Sequence, residues 1–386
     1  MIFVWVNKRN WKSRGPIVNV NVHNAASLSS LGYEVHLCVG AGENSNTDKD
    51  LRDFYGLTPR ENFKIHRVRR WQFRSSTYSH AIFLYAYRLI RTLSQRDHVV
   101  VLTRDSSFLI LLTWLCHNPR IGGYYELHDF CADLSWVAKK GSRHYREKFF
   151  EHLFLPRLNG LICITQTQQE LYGKLFPSIS SCALPLGTKP VQDSKCPDER
   201  RKRRTLMYVG SMRREKGIDF LFRASPKLAA LGIKILFWGG KDKVISQFQK
   251  EARELGVEEA VEFVPFQPLQ EMHRALAEQA SLGVVMLADN YYNRYLTCPT
   301  KALDYLSHGI PVVGSSLPSV REVLGHSGTY VRAYDVDGFV RSVEILLDDP
   351  GRYNKMASLS LQRANEISWE NRARTIVDFV QRHQRT

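Results

Sequence analysis

Short apolar runs alternate with helical stretches along the whole of this 386-residue chain. In the first half, candidate strands fall at 2–6, 34–39, 63–68, 98–103, 121–127, 160–165 and 181–184, with helical periodicity near 16–31, 79–95, 106–117, 143–157 and 167–175. In the second half, strands fall at 205–209, 234–238, 261–264, 282–287, 310–313 and 329–331, and helices near 217–231, 244–255, 268–279, 300–308 and 335–348. A strand reaches a parallel neighbour only through a long crossover, which a helix supplies. The pattern therefore predicts an α/β chain with two Rossmann-like, doubly wound parallel sheets covered by helices on both faces. The break falls at 190–204, where Pro190, Pro197 and a charge run without periodicity read as an exposed linker. The expected domains are 1–189 and 205–365, followed by a terminal helix within 366–386. Two such domains leave a cleft between them, and ligands of such sheets sit outside the carboxyl ends of the strands.

Those strand-to-helix loops carry the candidate residues. The loop after the first strand runs from Asn7 to Gly15-Pro16, with Gly15 opening a helix. It lacks GxGxxG, which argues against a dinucleotide cofactor. A second loop, Glu126-Leu127-His128-Asp129, ends a strand with a histidine suited to donate to a ligand hydroxyl or act as a general base. Arg104 closes the preceding strand as a weaker candidate. A third loop, Gly210-Ser211-Met212-Arg213-Arg214-Glu215-Lys216-Gly217, is not a P-loop. Lys216, with one of Arg213 or Arg214, suits a diphosphate.

The fourth segment, 298–314, is the most informative. Pro299 suits a first helical turn, and Ala302, Leu303 and Leu306 form one apolar stripe. Lys301 and Asp304 lie three residues apart on the same helix surface, Gly309 suits a helix stop, and 310–313 is an apolar buried strand. A helix N-terminus beside a lysine and a carboxylate suits an anion next to a polyol, such as a diphosphate next to a ribose.

Charge points the same way. Lys and Arg total 54 against 38 acids, a net charge of +16, with basic clusters at 67–70, 139–148 and 200–204. An excess of this size implies an anionic partner. With no recognisable nucleic-acid motif, nucleic acid is not the expected one. No apolar run approaches the ~20 residues of a membrane-spanning helix. The opening Met1-Ile2-Phe3-Val4-Trp5-Val6 reads as a first strand rather than a signal peptide. The 7 cysteines show no CxxC spacing, which argues against zinc and fits a reducing compartment. The expected location is cytoplasmic, with peripheral attachment to the inner face of the membrane.

Taken together, these loops resemble glycosyltransferase family four, whose members have a GT-B fold. Val209-Gly210 through Lys216-Gly217 looks like that family's VGxxxxxKG turn. Pro299-x-Lys301-x-x-Asp304-Tyr305, followed by Gly309-x-Pro311-Val312-Val313, looks like its PxKxxEYxxxGxPVV segment. Leu184-Pro185-Leu186-Gly187 resembles its PNG stretch, and Glu126-Leu127-His128-Asp129 its first-domain histidine strand. Ser368-Trp369-Glu370 resembles the opening of the terminal helix that crosses back to the first domain. The chain departs from the pattern at Asp304 and Leu296, where the family usually has glutamate, and at Ser211, where it often has arginine.

The resemblance implies metal-independent, retaining transfer of a sugar from a nucleotide-diphosphate donor, UDP favoured, to an acceptor hydroxyl, with no cofactor. Lys216, Arg213 and the helix start at Thr300 would stabilise the departing diphosphate. Gly210, Ser211, Arg214 and Lys301 would complete the nucleotide site, with Asp304 on the ribose and Phe266 beside the base. His128 would contact donor sugar or acceptor, and Gly15, Arg104, Asp129, Asn293 and Arg294 would frame that region. The acceptor would be a sugar or a lipid-linked sugar on the first domain. There the basic clusters, with Trp71, Phe73, Tyr78, Phe149 and Phe150, would meet an anionic bilayer. Rival expectations are a nucleotide-sugar epimerase of the same fold, a non-catalytic nucleotide-sugar-binding subunit, and a nucleic-acid-binding protein driven by charge.

Overall fold

The structure, a computed structural model, describes residues 1–13, 15–69, 80–191 and 196–383. Trp71, Phe73 and Tyr78 of the expected membrane-facing set, Arg70 of the first basic cluster and 192–195 of the expected linker lie outside the described residues.

The chain divides into two units, one of residues 1–187 with 369 onward, the other Thr188–Ser368. The first holds β1 (Ile2–Asn10), β2 (Glu34–Gly40), β3 (Phe63–Val68), β4 (Val99–Thr103), β5 (Ile121–Leu127), β6 (Gly160–Cys163) and β7 (Ser181–Ala183). They form one parallel sheet in the order β3-β2-β1-β4-β5-β6-β7. Its helices are α1 (Pro16–Ser30), α2 (Thr47–Asp53), α3 (His80–Leu93), α4 (Leu109–Leu115), α5 (Ser142–Phe154) and α6 (Gln166–Leu175). β4 and β5 are buried along their whole length, as a sheet covered on both faces requires.

The second unit holds β8 (Thr205–Val209), β9 (Lys234–Gly240), β10 (Val261–Pro265), β11 (Leu282–Val285), β12 (Val312–Ser315) and β13 (Gly328–Val331). They too are all parallel, in the order β10-β9-β8-β11-β12-β13. Its helices are α7 (Pro197–Lys202), α8 (Ile218–Ala230), α9 (Asp242–Glu254), α10 (Leu269–Gln279), α11 (Tyr291–Tyr295), α12 (Thr300–Ser307), α13 (Pro318–Leu324), α14 (Val336–Asp348) and α15 (Pro350–Glu366). The chain then returns to the first unit as α16 (Trp369–Arg382), which packs on α1. Strand order reverses between β1 and β4, and again between β8 and β11. Each reversal is a topological switch point, where such sheets bind ligands.

Three expectations are corrected. Residues 197–202, expected as exposed linker, form α7 within the second unit. Pro197 starts it, Asp198 and Glu199 sit at its positive end, and Arg200–Lys202 at its negative end. Arg200 is buried and donates to the carbonyls of His308 and Gly309 at 2.7 and 3.1 Å, closing the end of α12. The second correction is α15, a 17-residue helix absent from the expected set, capped by the Asp349 side chain on the Arg352 N–H with Pro350 in its first turn. Third, β12 starts two residues later than expected, after Pro311, which has no N–H to give to a ladder.

Candidate functional site

In the second unit, three features converge on the switch point. β8 ends at Val209, and the chain turns through Gly210. Tyr208 donates its hydroxyl to the Ser211 carbonyl at 2.9 Å, bending the loop back over its own strand. One turn at Arg214–Lys216 then leads into Gly217, whose φ of 93° lies in the left-handed region. A Cβ there would stand 1.8 Å from the Met286 carbonyl oxygen, so the loop closes against the end of β11 only with glycine.

α12 reaches the same place because Tyr305 anchors it. The Tyr305 hydroxyl accepts from the Val209 N–H at 3.0 Å and donates to the Met207 carbonyl at 2.8 Å. Its ring lies on Gly283 of β11, where a Cβ would approach to 2.4 Å. No side chain among the described residues caps the N-terminus of α12, which leaves first-turn N–H groups available to an anion. Pro299 is the N-cap rather than part of the first turn, and Thr300 is exposed.

Lys301 projects from this terminus against Gly210, its Nζ 3.4 Å from the Tyr208 ring centroid. The ammonium is shielded from solvent and has no hydrogen-bond partner among the described residues. Burial holds its pKa well below that of an ordinary lysine, the charge of Lys216 adds to this, and Asp304 opposes it. The half-buried Asp304 carboxyl is raised to about 7 by burial, against the pull of Lys301. Lys216 is half-buried, its Nζ 6.0 Å from the Tyr292 ring centroid. A cavity of about 270 Å³ adjoins this loop, lined in part by Arg214, Gly217, Met286, Ala288 and Tyr334.

Not every expected residue joins this arrangement. The Arg214 guanidinium pairs with the carboxylates of Asp219 and Glu251, and Arg213 on the same loop is exposed. Arg294 pairs with Asp289. Asn293 is buried, donates to the Ala288 carbonyl at 2.8 Å and serves to hold its own loop. Leu296, at the family's earlier glutamate position, is fully buried in the core. Phe266 follows β10 and is exposed.

In the first unit, β5 ends in a buried polar chain. His128 Nε2 lies 2.6 Å from Glu126 Oε1, and Glu126 Oε2 accepts from Arg372 of α16 at 2.6 Å. Arg372 also donates to Asn24 of α1 at 2.9 Å and to the carbonyls of Leu184 and Pro185. Burial alone would raise the Glu126 pKa, but the charge of Arg372 and the contact with His128 hold it well below the usual carboxylate range. Burial, then the charge of Arg104, keeps His128 neutral to lower pH than usual, against the pull of Glu126. With Nε2–H given to Glu126, the other ring nitrogen is an acceptor. Lys8, near the end of β1, is joined to Asp105 in the loop after β4 through a backbone bond of 2.7 Å and an ion pair of 3.3 Å. Gly15, with φ 103°, caps α1, and Asp129 is exposed.

Sequence reasoning missed Arg372, whose partners lie hundreds of residues away. It also gives Tyr305 no role, although the aromatic residue after Asp304 is the available signal.

Residues 203–349 match the model of the family Glycosyl transferases group 1. Among curated proteins, the chain is similar to D-inositol 3-phosphate glycosyltransferase of Corynebacterium aurimucosum, at 26% identity over 175 residues, 43% of this chain. The chain spans about 40% of the length of that relative. Among solved structures, sucrose-phosphate synthase of Thermosynechococcus elongatus superposes with a TM-score of 0.70 at 14% identity, over 99% of this chain and 98% of that one. HepE of Anabaena in complex with UDP-glucose does so with a TM-score of 0.67 at 13% identity, over 99% and 100%. The fold is that of the GT-B glycosyltransferases.

Proposed function

We propose that this chain is a retaining glycosyltransferase that takes a sugar from a nucleotide-diphosphate donor, a UDP-sugar first among them, and gives it to an acceptor hydroxyl. The observation that carries the reading is Lys301. An ammonium shielded from solvent, without a hydrogen-bond partner among the described residues and set at an uncapped helix start, suits an anion. The matched family model covers this region, and HepE, with the same fold, binds UDP-glucose.

In this reading Lys301, Lys216 and the first N–H groups of α12 hold the diphosphate, with Arg213 at its edge. Asp304 accepts from the ribose hydroxyls, and Phe266 flanks the base. The bond from the sugar's anomeric carbon to the phosphate oxygen breaks as the acceptor oxygen bonds to that carbon on the same face. The acceptor's proton passes to the departing phosphate. The cations act as negative charge grows on that leaving group, which is where fixed charge lowers a barrier. In the first unit, neutral His128 presents its free ring nitrogen to a sugar hydroxyl. Arg104, Asp129 and Gly15 lie at the same strand ends, where a sugar or lipid-linked acceptor is placed.

The test is incubation with UDP-, GDP- and ADP-sugars together with a panel of simple glycosides and extracted lipids, reading nucleoside diphosphate release. Release that depends on one donor and an acceptor, giving a product of unchanged anomeric configuration by NMR, supports the reading. Interconversion of the donor sugar without an acceptor, or no turnover with bound nucleotide, contradicts it.

A further inference from the structure

In the first unit, α4 packs against both α3 and α5. A helix in such a layer normally turns its apolar residues inward and its polar residues to water. α4 buries Leu109, Leu112 and Leu115, yet it also turns Ile110 and Trp114 outward, one helical turn apart. Trp114 is 68% exposed, the most exposed large apolar side chain among the described residues. α5 repeats the feature. Tyr145, Phe149 and Leu153, each four residues from the next, form an exposed stripe, with Tyr145 at 58% and Phe149 at 59%. Two neighbouring helices thus each expose an apolar pair or stripe that includes an aromatic ring. Scattered single apolar residues need no explanation, but stripes of this kind mark an interaction surface.

The flanking charge identifies the occupant. Between 139 and 148 the chain carries Lys139, Lys140, Arg143, Arg146 and Lys148 against one acid, Glu147, a net of +4 over 10 residues. Arg143 is paired with Glu147 at 2.8 Å, while Lys139 and Lys140 are exposed just before α5. Tryptophan, tyrosine and phenylalanine beside lysine and arginine match the layered chemistry of a bilayer surface. The rings suit the headgroup boundary, the long basic side chains reach phosphates, and their stems cover apolar surface. No helix among the described residues is long and apolar enough to cross a membrane, so contact of this kind is from one side.

We propose that the outward faces of α4 and α5, with the basic segment 139–148, dock this protein on an anionic lipid bilayer. The docking needs no part of the nucleotide reading. Only its use, bringing the first unit to a lipid-carried acceptor, rests on that reading.

The test is flotation of the full chain with vesicles of phosphatidylcholine alone and of phosphatidylcholine mixed with phosphatidylglycerol. The expected result is binding at least about tenfold stronger to the anionic vesicles, weakened by high salt, since basic residues gain from the negative surface potential and salt screens it. The pair Lys139→Glu and Lys140→Glu removes the preference for anionic vesicles. The pair Trp114→Ser and Phe149→Ser weakens binding about tenfold at every salt concentration. All four positions are exposed, so the variants keep the fold, which circular dichroism checks. Quenching by brominated lipid, present in the native chain and reduced in Trp114→Phe, reports insertion of that ring directly. Equal binding to both vesicle types, full binding by both double variants, or concentration-dependent self-association through this face without lipid binding overturns the proposal. Nucleotide titration of the same variants separates this outcome from failure of the donor site.

Discussion

Arg372 on the last helix donates to Glu126 at the end of β5 at 2.6 Å, with both side chains almost completely shielded from water. A residue near the chain's end thus completes the polar chain that orients His128. Such a pair is hard to break from one side, because removing one partner leaves a buried charge. Arg372→Ala is expected to cost about 3–5 kcal/mol in urea unfolding of the first unit. The Glu126 pKa is depressed, so the pair's stability is present above the ordinary carboxylate value of 4.5 and is lost as pH falls below it. In Arg372→Met this part of the acid dependence disappears. An unchanged acid limb in that variant contradicts the assigned charge.

Asp304 carries the opposite sign. Its folded pKa is raised from 3.8 to about 7, so the folded chain holds this proton more tightly than the unfolded chain across that range. Ionising it costs stability as pH rises through the same window. Asp304→Asn is expected to flatten the pH dependence of melting between those values. If Asp304 holds the ribose as proposed, the same variant also loses the part of the pH dependence of nucleotide affinity that comes from this carboxyl.

Gly217 tests the loop. With φ at 93° and the Met286 carbonyl where a Cβ would sit, Gly217→Ala must move the turn that carries Lys216. The expected cost is at least about 2 kcal/mol, together with lost nucleotide binding. A native-like melting curve with full binding shows that the loop does not depend on this approach.

Leu296 tests the departure from the glutamate pattern. It is fully buried, so Leu296→Glu places a carboxylate in an apolar core and is expected to cost about 3 kcal/mol or more by denaturant unfolding, without gain in donor affinity. Improved donor binding at native stability instead shows that the side chain faces the donor sugar.

Much of this arrangement was legible in the sequence. The runs at 98–103 and 121–127 read as strands buried on both faces, and helices between such strands impose parallel order. The 299–313 segment announced a helix start, a lysine, a carboxylate and a stop at Gly309, whose φ is 61°. What was not legible depends on long-range partners. Arg214 reads as a phosphate ligand until Glu251, 37 residues away, is seen to hold it. Arg200 reads as part of a solvated charge run until the end of α12 is placed over it. α15 is absent from the expected set because its buried face mixes Tyr353 with Ala357, Ser360 and Ala364, which leaves no clear apolar stripe.

The central claim is the proposal that Lys301 binds the phosphates of a nucleotide. Its most direct test is calorimetric titration of UDP, GDP and ADP into the native chain and into Lys301→Met, which keeps the length and apolar packing of the side chain. The account predicts that one nucleotide binds and that the substitution weakens it at least about tenfold without loss of fold. Binding of equal strength in both proteins, or none in the native one, contradicts it.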